Sequence, residues 1–304
     1  MTRALLISNP FAARAHSRAV AGIRDILQSG GWTVDVHTTA GPGDARQVAE
    51  DARGAGFDVM VSHGGDGTAM QVAAGIVGSG VALGLLPGGT GNLLAGNLRL
   101  PRTATGAARA LLKARRLEID VGVVDRDDGP HYFAVAAGTG FDAQLMADTG
   151  LQAKRRWKFG AYLGRALTSL SSVRSLPHRV TIDGTVHEIP AAMLLVLNCG
   201  KLLPGFMSIR DGLVPDDGWF DVVAVSADGA LESATAILEL LFSNESKGRR
   251  VWWSRGRTIR IELPGAMPRP VQLDGEVFGT TPFEARLLAR GLSVLVGPDF
   301  QAHR

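Results

Sequence analysis

Residues 57–68 read Phe57-Asp58-Val59-Met60-Val61-Ser62-His63-Gly64-Gly65-Asp66-Gly67-Thr68, and this stretch decides the fold of the first part of the chain. The apolar run from Phe57 to Val61 predicts a buried strand, and helical spacing begins at Ala69. Glycines between a strand and a helix let backbone N–H groups approach an anion, because no Cβ intervenes. The N-terminus of the helix adds positive potential. The stretch therefore predicts a phosphate-binding turn.

A second glycine-rich turn follows at Leu86-Pro87-Gly88-Gly89-Thr90-Gly91-Asn92, again between an apolar run and a helical one. Strands and helices alternate from Arg3 onwards, which predicts a parallel sheet covered by helices. The carboxyl ends of neighbouring parallel strands face one crevice, where open α/β sheets bind ligands. We therefore interpret the chain as a nucleotide-using phosphotransferase.

The length of the chain, 304 residues, favours two domains over one. The texture of the sequence changes at Asp125 to Pro130, where charged residues are followed by Gly-Pro. We expect an α/β domain with a parallel sheet over residues 1–125, in which Asp44 is the candidate N-cap of a helix at Ala45 to Arg53. Residues 126–304 contain many short alternating runs, among them 186–197, 283–288 and 292–296, which predict a β-rich antiparallel sandwich. Helical runs are predicted at 144–147 and 158–170. The last strand of this second domain could pack back on the first.

Composition excludes several classes of protein. A chain with 45% hydrophobic and 20% charged residues is typical of a soluble globular protein, and a formal charge of +3 is too mild to indicate nucleic-acid binding. The single cysteine, Cys199, excludes an internal disulfide and fits a reducing compartment. No secretory signal is visible, and the longest apolar run, Ile189 to Leu197, is too short to span a bilayer. We expect a cytoplasmic protein whose membrane contact is peripheral.

The polar residues of the two turns have several open roles. Asp66 repels a phosphate by itself, so it would cap a helix, hold a turn amide or bind Mg²⁺. Thr68 and Thr90 offer hydroxyls to phosphate or metal, and Asn92 could pin its turn, contact the nucleotide or cap a helix. His63 lies at a strand end, where a packed neutral histidine is common. We assign it no catalytic role.

Nearly the whole chain resembles the diacylglycerol kinase catalytic-domain family, which comprises bacterial lipid kinases related to eukaryotic diacylglycerol and sphingosine kinases. The motifs that carry the resemblance are Asn9-Pro10, Gly64 to Thr68, Pro87 to Asn92, Gly140-Phe141-Asp142, Pro215 to Asp221 and Gln272 to Glu276. The resemblance implies an ATP-dependent kinase of lipid metabolism, with an N-terminal nucleotide-binding domain like that of phosphofructokinase and a β-rich C-terminal lipid domain. Such a kinase would transfer the γ-phosphate to the hydroxyl of a lipid alcohol such as diacylglycerol.

The resemblance also implies roles for single positions. Glu276 would be the general base that takes the proton of the acceptor hydroxyl, and Asp274 would be a metal or water ligand. A structural Mg²⁺ would be held by the Asp217 carboxylate and by the backbone carbonyls of Val214 and Trp219. The implied ATP-binding positions are Asn9, Pro10, Thr39, His63, Gly64, Gly65, Asp66, Gly67, Thr68, Ala69, Gly89, Thr90 and Asn92. From the residues alone, both Asp-Gly turns are also consistent with ordinary turns.

Two positions depart from the pattern of the family. Phe11-Ala12-Ala13 stands where relatives commonly have Ser or Gly, so we expect the first loop to hold phosphate less closely, unless Arg14 compensates. Leu93 stands where many relatives have Asp, which puts a metal role at that position in doubt. The glycines that shape both turns remain, so ATP binding is still expected.

Two basic segments indicate contact with an anionic membrane surface. Lys154 to Lys158 precedes an apolar helical run, and Lys247 to Arg260 interleaves arginines with Trp252 and Trp253. Basic residues beside tryptophan suit the interface of the inner membrane face. A solvated helix start and a sandwich strand are the alternative interpretations.

Two other functions stay open at this point. NAD kinases also use a Gly-Gly-Asp-Gly-Thr loop, although their next motif is usually an Asn-Glu pair rather than the motif at Pro87 to Asn92. A non-catalytic lipid- or nucleotide-binding regulator is the second alternative, against which the acidic turn at Asp274 to Glu276 argues. The sequence identifies neither the lipid alcohol nor the oligomeric state, and a homodimer stays open.

Overall fold

The computed structural model describes residues 1–12, 17–140, 173–202, 209, 212–242, 249–298 and 300–301. Several predictions of the sequence fall outside these residues. They are the helices at 144–147 and 158–170, the basic run Lys154 to Lys158, the Phe141-Asp142 part of one motif, and Ala13 with Arg14.

Strands and helices alternate in the first part of the chain. Their bounds are β1 (Arg3–Ser8), α1 (Ser17–Ser29), β2 (Thr33–Thr38), α2 (Asp44–Asp51), β3 (Val59–Gly64), α3 (Asp66–Ile76), β4 (Ala82–Pro87), α4 (Leu93–Asn97) and α5 (Ala104–Leu111). The strands pair in parallel in the order β2-β1-β3-β4. Both β3 and β4 are buried along their whole length, which explains their apolar sequences. The predicted parallel sheet with helices is confirmed.

Strands dominate the rest of the chain. Their bounds, with one helix, are β5 (Arg115–Arg126), β6 (Gly129–Phe133), β7 (Ala136–Gly140), β8 (Leu176–Ile182), β9 (Thr185–Ala191), β10 (Met193–Leu197), β11 (Phe220–Val225), α6 (Ala230–Phe242), β12 (Val251–Gly256), β13 (Thr258–Glu262), β14 (Pro270–Leu273), β15 (Glu276–Thr280) and β16 (Phe283–Val296). An antiparallel sheet forms in the order β12-β11-β10-β7-β14-β15. This confirms the predicted β-rich second part.

The first sheet continues into the second part of the chain. Strand β16 pairs in parallel with β4 at Val294 and Leu83. It also pairs antiparallel with β13 and with β5. Asp125 to Pro130, where the sequence predicted a domain boundary, form the tight end of the β5–β6 hairpin. The larger sheet contains strands from both sides of residue 125. A domain division at that residue stays a prediction.

Two buried clusters stabilise this arrangement. One lies between the parallel strands and their helices and includes Leu6, Met60 and Leu83. The other lies between the two sheets, where the rings of Phe133 and Phe220 stack with centroids 5.4 Å apart. Within the described ranges, no helix combines the length and the hydropathy that crossing a membrane requires.

Some elements differ from the prediction, and each difference has a local cause. The predicted strands at 283–288 and 292–296 are one strand, β16, with an irregularity at Arg290, whose φ is 52°. The predicted strand at 186–197 divides into β9 and β10 at Ala192, whose N–H donates to the carbonyl of Val225 at 2.8 Å. Gly43, with φ 83°, stands at the N-cap predicted for Asp44, which is the first residue of α2.

Candidate active site

The two glycine-rich turns meet at the carboxyl ends of β3 and β4. The N–H of Gly88 donates to the carbonyl of Gly64 at 2.8 Å. A Cβ on Gly89 would lie 2.6 Å from the Cα of Gly65, closer than real Cβ contacts allow. Only glycine therefore permits this approach of one backbone to the other. The sequence predicted that both turns face one crevice, and the structure places them in direct contact.

The positions predicted to bind ATP lie at the carboxyl ends of the four parallel strands. Asn9 and Pro10 follow β1, Thr39 follows β2, the segment from His63 to Ala69 joins β3 to α3, and Gly89, Thr90 and Asn92 follow β4. Their grouping is a consequence of the parallel order, which aligns these ends along one edge. ATP binding at this edge stays a prediction.

Asp66 caps a helix other than its own. Its Oδ1 accepts the N–H of Leu94, at 3.4 Å, in the first turn of α4. Burial raises the pKa of Asp66, while hydrogen bonds from the backbone N–H groups of Leu94, Leu93 and Asn92 oppose the rise. A Cβ on Gly91 would lie 2.7 Å from Oδ2, so that glycine leaves room for the carboxylate. The position that many relatives fill with Asp, Leu93, supplies a backbone donor here.

Two asparagines shape the turns with their side chains. Asn92 has a φ of 51°, and its amide bonds Gly89 twice: Oδ1 accepts the N–H at 3.0 Å and Nδ2 donates to the carbonyl at 2.8 Å. Of its predicted roles, pinning the turn is the one observed. Asn9 donates from Nδ2 to the hydroxyl of Thr68 at 3.0 Å, which ties the end of β1 to α3.

His63 lies beneath the first turn and is fully buried. Its Nδ1 lies 3.0 Å from the hydroxyl of Ser8, and burial lowers its pKa to about 4. The imidazole is therefore neutral at pH 7, as the sequence predicted.

A pair that the sequence analysis missed supports the loop after β2. His37 Nε2 lies 3.0 Å from Asp44 Oδ2, which also accepts the N–H of Ala40 at 2.7 Å. These two hydrogen bonds, with that from His37 the larger effect, lower the pKa of Asp44. The loop they hold contains Thr39. The spacing of His37 and Asp44 across a turn carried no recognisable signal.

The acidic turn at Asp274-Gly275 is a two-residue hairpin loop between β14 and β15. Both residues have positive φ, 48° and 82°, which matches the twist of the flanking strands. The Asp274 carboxylate accepts three backbone N–H groups, those of Ala134, Val135 and Ala136, at 2.8 to 2.9 Å. These contacts are those of a residue that positions the hairpin. The predicted role of Asp274 as a metal or water ligand stays a prediction.

The charge of Asp274 is costly in this environment. Burial raises its pKa to about 6, although the three N–H donors favour the ionised form, and the charge of Asp66 adds to the rise. Two carboxylates that destabilise each other's ionised form at a cleft are suited to a cation. The structure thereby brings an aspartate from each part of the chain to one place.

Glu276 is the point at which the second part of the chain reaches the glycine-rich turn. It is exposed, and its carboxylate lies against Gly67. A Cβ on Gly67 would overlap Oε1 of Glu276 and lie 3.1 Å from its Cδ. Gly67 therefore leaves the space that the carboxylate fills. The residue predicted to be the general base and the turn predicted to hold phosphate are in contact.

The contacts of Asp217 do not fit the predicted structural Mg²⁺. One carboxylate oxygen accepts the N–H of Trp219 at 3.0 Å, and the other pairs with the guanidinium of Arg255. The same guanidinium lies 3.2 Å from Asp221 Oδ1 through its Nε. An ion held by Asp217 and the carbonyls of Val214 and Trp219 would compete with Arg255 for the same oxygen.

The predicted membrane segment at Lys247 to Arg260 is part of the fold over its described residues, 249–260. Trp253 is buried, and the ring of Trp252 lies 5.3 Å from that of His187. Arg250 pairs with Glu232 at 2.7 Å and Arg260 with Glu262 at 3.0 Å. These residues form β12 and β13, the strands that the alternative interpretation expected, and contact of this segment with a membrane stays a prediction.

A second contact between the two parts of the chain also escaped the sequence analysis. The side-chain amide of Asn97, at the end of α4, donates to the carbonyl of Lys201 at 3.0 Å and accepts its N–H at 3.1 Å. The ammonium of Lys201 donates to the carbonyl of Gly96 at 3.2 Å. The partners are distant in sequence, so no local pattern could show this pairing.

Comparisons with known proteins agree with this geometry. Residues 3–124 match the family model described as diacylglycerol kinase catalytic domain, and residues 134–296 match the one described as YegS C-terminal NAD kinase beta sandwich-like domain. The chain therefore belongs to the diacylglycerol kinase family that these two domains define.

Individual relatives are distant but similar along most of this chain. A diacylglycerol kinase of Mycobacterium tuberculosis (strain ATCC 25618 / H37Rv) is 30% identical over 261 residues, which cover 83% of this chain and 81% of that protein. An uncharacterized Synechocystis protein, sll0036, is 25% identical over 253 residues, 82% of this chain but 57% of the relative. The crystal structure of a diacylglycerol kinase from Bacillus anthracis str. Sterne has a TM-score of 0.76 at 22% identity, covers 97% of each chain, and supports the fold alone.

Proposed function

We propose that this protein transfers the γ-phosphate of ATP to the hydroxyl of a lipid alcohol, with diacylglycerol as the first candidate. The observation that carries the proposal is the contact of the Glu276 carboxylate with Gly67 in the glycine-rich turn. A group able to accept a proton thus lies where a triphosphate would end. Membership of a kinase family supports the reaction class.

The triphosphate would bind to the backbone of the two touching turns. The first N–H groups of α3 have no acceptor within their own helix, so they are available to an anion. Asp66 does not obstruct them, because its carboxylate is directed to the N-terminus of α4. Glycines at 64, 65, 88 and 89 keep side chains away from the phosphate oxygens.

The residues at the crevice fit the Mg²⁺ that accompanies ATP. Burial and, to a lesser extent, the charge of Asp66 raise the cost of ionising Asp274, and a cation would relieve it. Over the described part of the chain, no three His, Cys, Asp or Glu side chains converge on one point, so phosphate oxygens would supply other ligands. When bound, Mg²⁺ neutralises the charge that develops on the transferred phosphoryl group.

Glu276 would accept the proton of the attacking hydroxyl. The hairpin that carries it is anchored by the three hydrogen bonds of Asp274, so the base is positioned by a rigid turn rather than by a mobile loop. The main contributions to catalysis are then the alignment of hydroxyl and phosphate and the neutralisation of charge.

Incubation of the purified protein with labelled ATP, Mg²⁺ and a panel of lipid alcohols tests the proposal. The panel contains diacylglycerol, a sphingoid base and an undecaprenyl-like alcohol in mixed micelles. We expect label in one or more lipids, with diacylglycerol first. Binding of ATP with no label in any lipid would support the non-catalytic alternative instead.

The second candidate is a kinase that phosphorylates NAD. The observation that favours it is the match of residues 134–296 to a domain described as NAD kinase beta sandwich-like. The match of residues 3–124 to the diacylglycerol kinase catalytic domain favours a lipid acceptor. Addition of NAD to the same panel separates the two, because labelled NADP without labelled lipid would replace the lipid kinase assignment.

We also propose that the outward face of α6 contacts the anionic membrane that contains the acceptor. Leu231, Ile237 and Leu238 are 79%, 43% and 56% exposed. Both acidic residues of the helix turn away from this face: Glu232 pairs with Arg250, and Glu239 accepts the N–H groups of Arg250 and Val251.

The charged residues near this apolar face are arginines. Arg174 is exposed, and its guanidinium lies close to Gly229, the residue just before α6, 4.0 Å from where a Cβ would stand. Arg249 is also exposed and is adjacent in sequence to Arg250, which pairs with Glu232 of the helix. An uncharged apolar surface with flanking arginines suits an anionic bilayer. This face takes the place of the predicted segment at 247–260, whose described tryptophans contact the rest of the protein.

A further inference from the structure

The turn at residues 214–219, which leads into β11, is built around one arginine and two aspartates. The side chains of Asp217 and Asp221 are only 5% and 11% exposed, and the guanidinium of Arg255 bonds both. Strand β12 carries Arg255 opposite Asp221 in the antiparallel register with β11. The pairing of strands thus brings the cation to the turn.

The same turn is tied to the larger sheet through a third aspartate. Asp120 of β5 is buried, and its Oδ2 accepts the N–H of Gly218 at 2.7 Å. Its own N–H donates to the carbonyl of Pro215 at 2.6 Å, and its Oδ1 accepts the N–H of Arg290 at 2.8 Å. The turn is therefore a joint between the two sheets.

A second arginine completes the contacts. Arg257 donates from Nε to the carbonyl of Gly218 at 3.2 Å, and its guanidinium lies 4.5 Å from the centre of the Trp219 ring. Both the carbonyl side and the carboxylate side of the turn are thus bonded to guanidinium groups. A divalent cation at the predicted site would have to displace Arg255 to reach the carboxylate of Asp217.

Chemistry explains why a cation is needed at this place. Two nearly buried carboxylates, Asp217 on the turn and Asp221 at the start of β11, repel each other and lose hydration, so the fold requires a positive partner. A guanidinium presents several N–H donors in a plane and can bond two carboxylates at once. Mg²⁺ instead demands near-octahedral oxygen ligands, while here one Asp217 oxygen already bonds a backbone N–H and the other bonds Arg255.

We propose that Arg255 is the structural cation of this turn and takes the place of the Mg²⁺ that the family resemblance implies. The joint between the two sheets is then held without a metal. This inference is independent of the proposed reaction, because it concerns the folded state in the absence of nucleotide and lipid.

Thermal unfolding without nucleotide tests the proposal, in EDTA and in millimolar Mg²⁺. We expect the wild-type melting temperature to be the same in both. Arg255→Met should lower it by about 5 to 10 °C in EDTA, because it leaves two nearly buried carboxylates without their cation. Arg260→Met is the matched control: it removes an arginine from an exposed ion pair and should lower the melting temperature by about 2 °C or less.

Two results would overturn the proposal. One is a wild-type melting temperature that rises with Mg²⁺ to a plateau, together with the loss of that rise in Asp217→Asn. The other is an Arg255→Met variant as stable as Arg260→Met. If Arg255→Met does not fold, Mn²⁺ binding to the wild type, followed by electron paramagnetic resonance, decides the matter. A bound ion that Asp217→Asn abolishes contradicts the proposal, and equal Mn²⁺ binding by both proteins supports it.

Discussion

The two Asp-Gly turns of the second part of the chain have the same dipeptide and opposite surroundings. Asp217 bonds a guanidinium, and its turn joins two sheets. Asp274 bonds three backbone N–H groups, and its turn places Glu276 against the glycine-rich turn of the first part. The comparison shows that the role of an acidic turn depends on the residues that the fold packs against it.

The largest effect is expected at Glu276. Glu276→Gln keeps the size of the side chain and removes the proton acceptor, so kcat for the lipid alcohol should fall by about 10² to 10⁴. Rates with labelled ATP and diacylglycerol measure it. Glu118→Gln, at an exposed position of β5, is the matched control and should retain the wild-type rate. Equal rates for both variants would remove Glu276 as the base.

The next prediction compares the two aspartates directly. Asp274→Asn weakens the three hydrogen bonds that hold the hairpin of Glu276, so kcat should fall by roughly 10 to 100-fold. Asp217→Asn changes a turn that carries no residue of the crevice, so kcat should change by about twofold or less at a temperature where both variants are folded. Similar losses of kcat in both variants would break the distinction between the turns.

The pH dependence of stability sharpens the same comparison. The pKa of His63 is lowered to about 4 in the folded state, so its contribution to stability is full above its unfolded pKa of 6.5 and is lost toward pH 4. The pKa of Asp274 is raised to about 6, so its ionisation destabilises the folded state above that pH and the protein gains stability as the pH falls toward 4. The two slopes oppose each other between pH 4 and 6.

Asp274→Asn should therefore reveal the slope of His63. We expect the free energy of unfolding of this variant to fall by about 1 kcal/mol more per pH unit than that of the wild type between pH 6 and 4. Urea unfolding at a series of pH values measures it, and Asp217→Asn serves as the control. If the free energy of unfolding of Asp274→Asn and of the wild type changed equally with pH, ionisation of Asp274 would not destabilise the folded state.

A smaller effect is expected at the surface of α6. Leu231→Asp combined with Leu238→Asp should reduce binding to anionic vesicles by roughly tenfold, because two apolar contacts are lost and two negative charges are gained. Co-sedimentation with vesicles measures the binding. Val186→Asp, at another exposed apolar residue, is the control and should bind as the wild type does. Unchanged binding of the double variant would place the membrane contact elsewhere.

Local patterns in the sequence predicted much of the first sheet. Buried parallel strands are apolar throughout, and glycines mark the turns after β3 and β4, so the crevice could be expected before its geometry was known. The family resemblance implied the acidic turn at Asp274 to Glu276. The resemblance also implied that the acidic turn reaches the glycine-rich turns, as the contact of Glu276 with Gly67 shows. The pairings of Asn97 with Lys201 and of Asp217 with Arg255 could not be predicted, because they join residues that only the folded sheets bring together.

The predicted membrane segment shows the same limit. Tryptophans and arginines in alternation are compatible with an interface and with a strand whose aromatic residues face inward. The structure shows a strand, since β12 lies beside β11 and buries Trp253, while membrane contact by this segment stays a prediction. The exposed leucines of α6 were not singled out, because exposure depends on which face the helix packs.

The contact between Glu276 and Gly67 can be tested by a double-mutant cycle on kcat. Gly67→Ala introduces a Cβ where the carboxylate lies, so it should reduce kcat about 100-fold in the wild type and by less than about threefold in Glu276→Gln. Circular dichroism confirms that each variant is folded. Such non-additivity is the result we predict. Equal losses in both backgrounds would show that the acidic hairpin and the glycine-rich turn act independently, which contradicts the account.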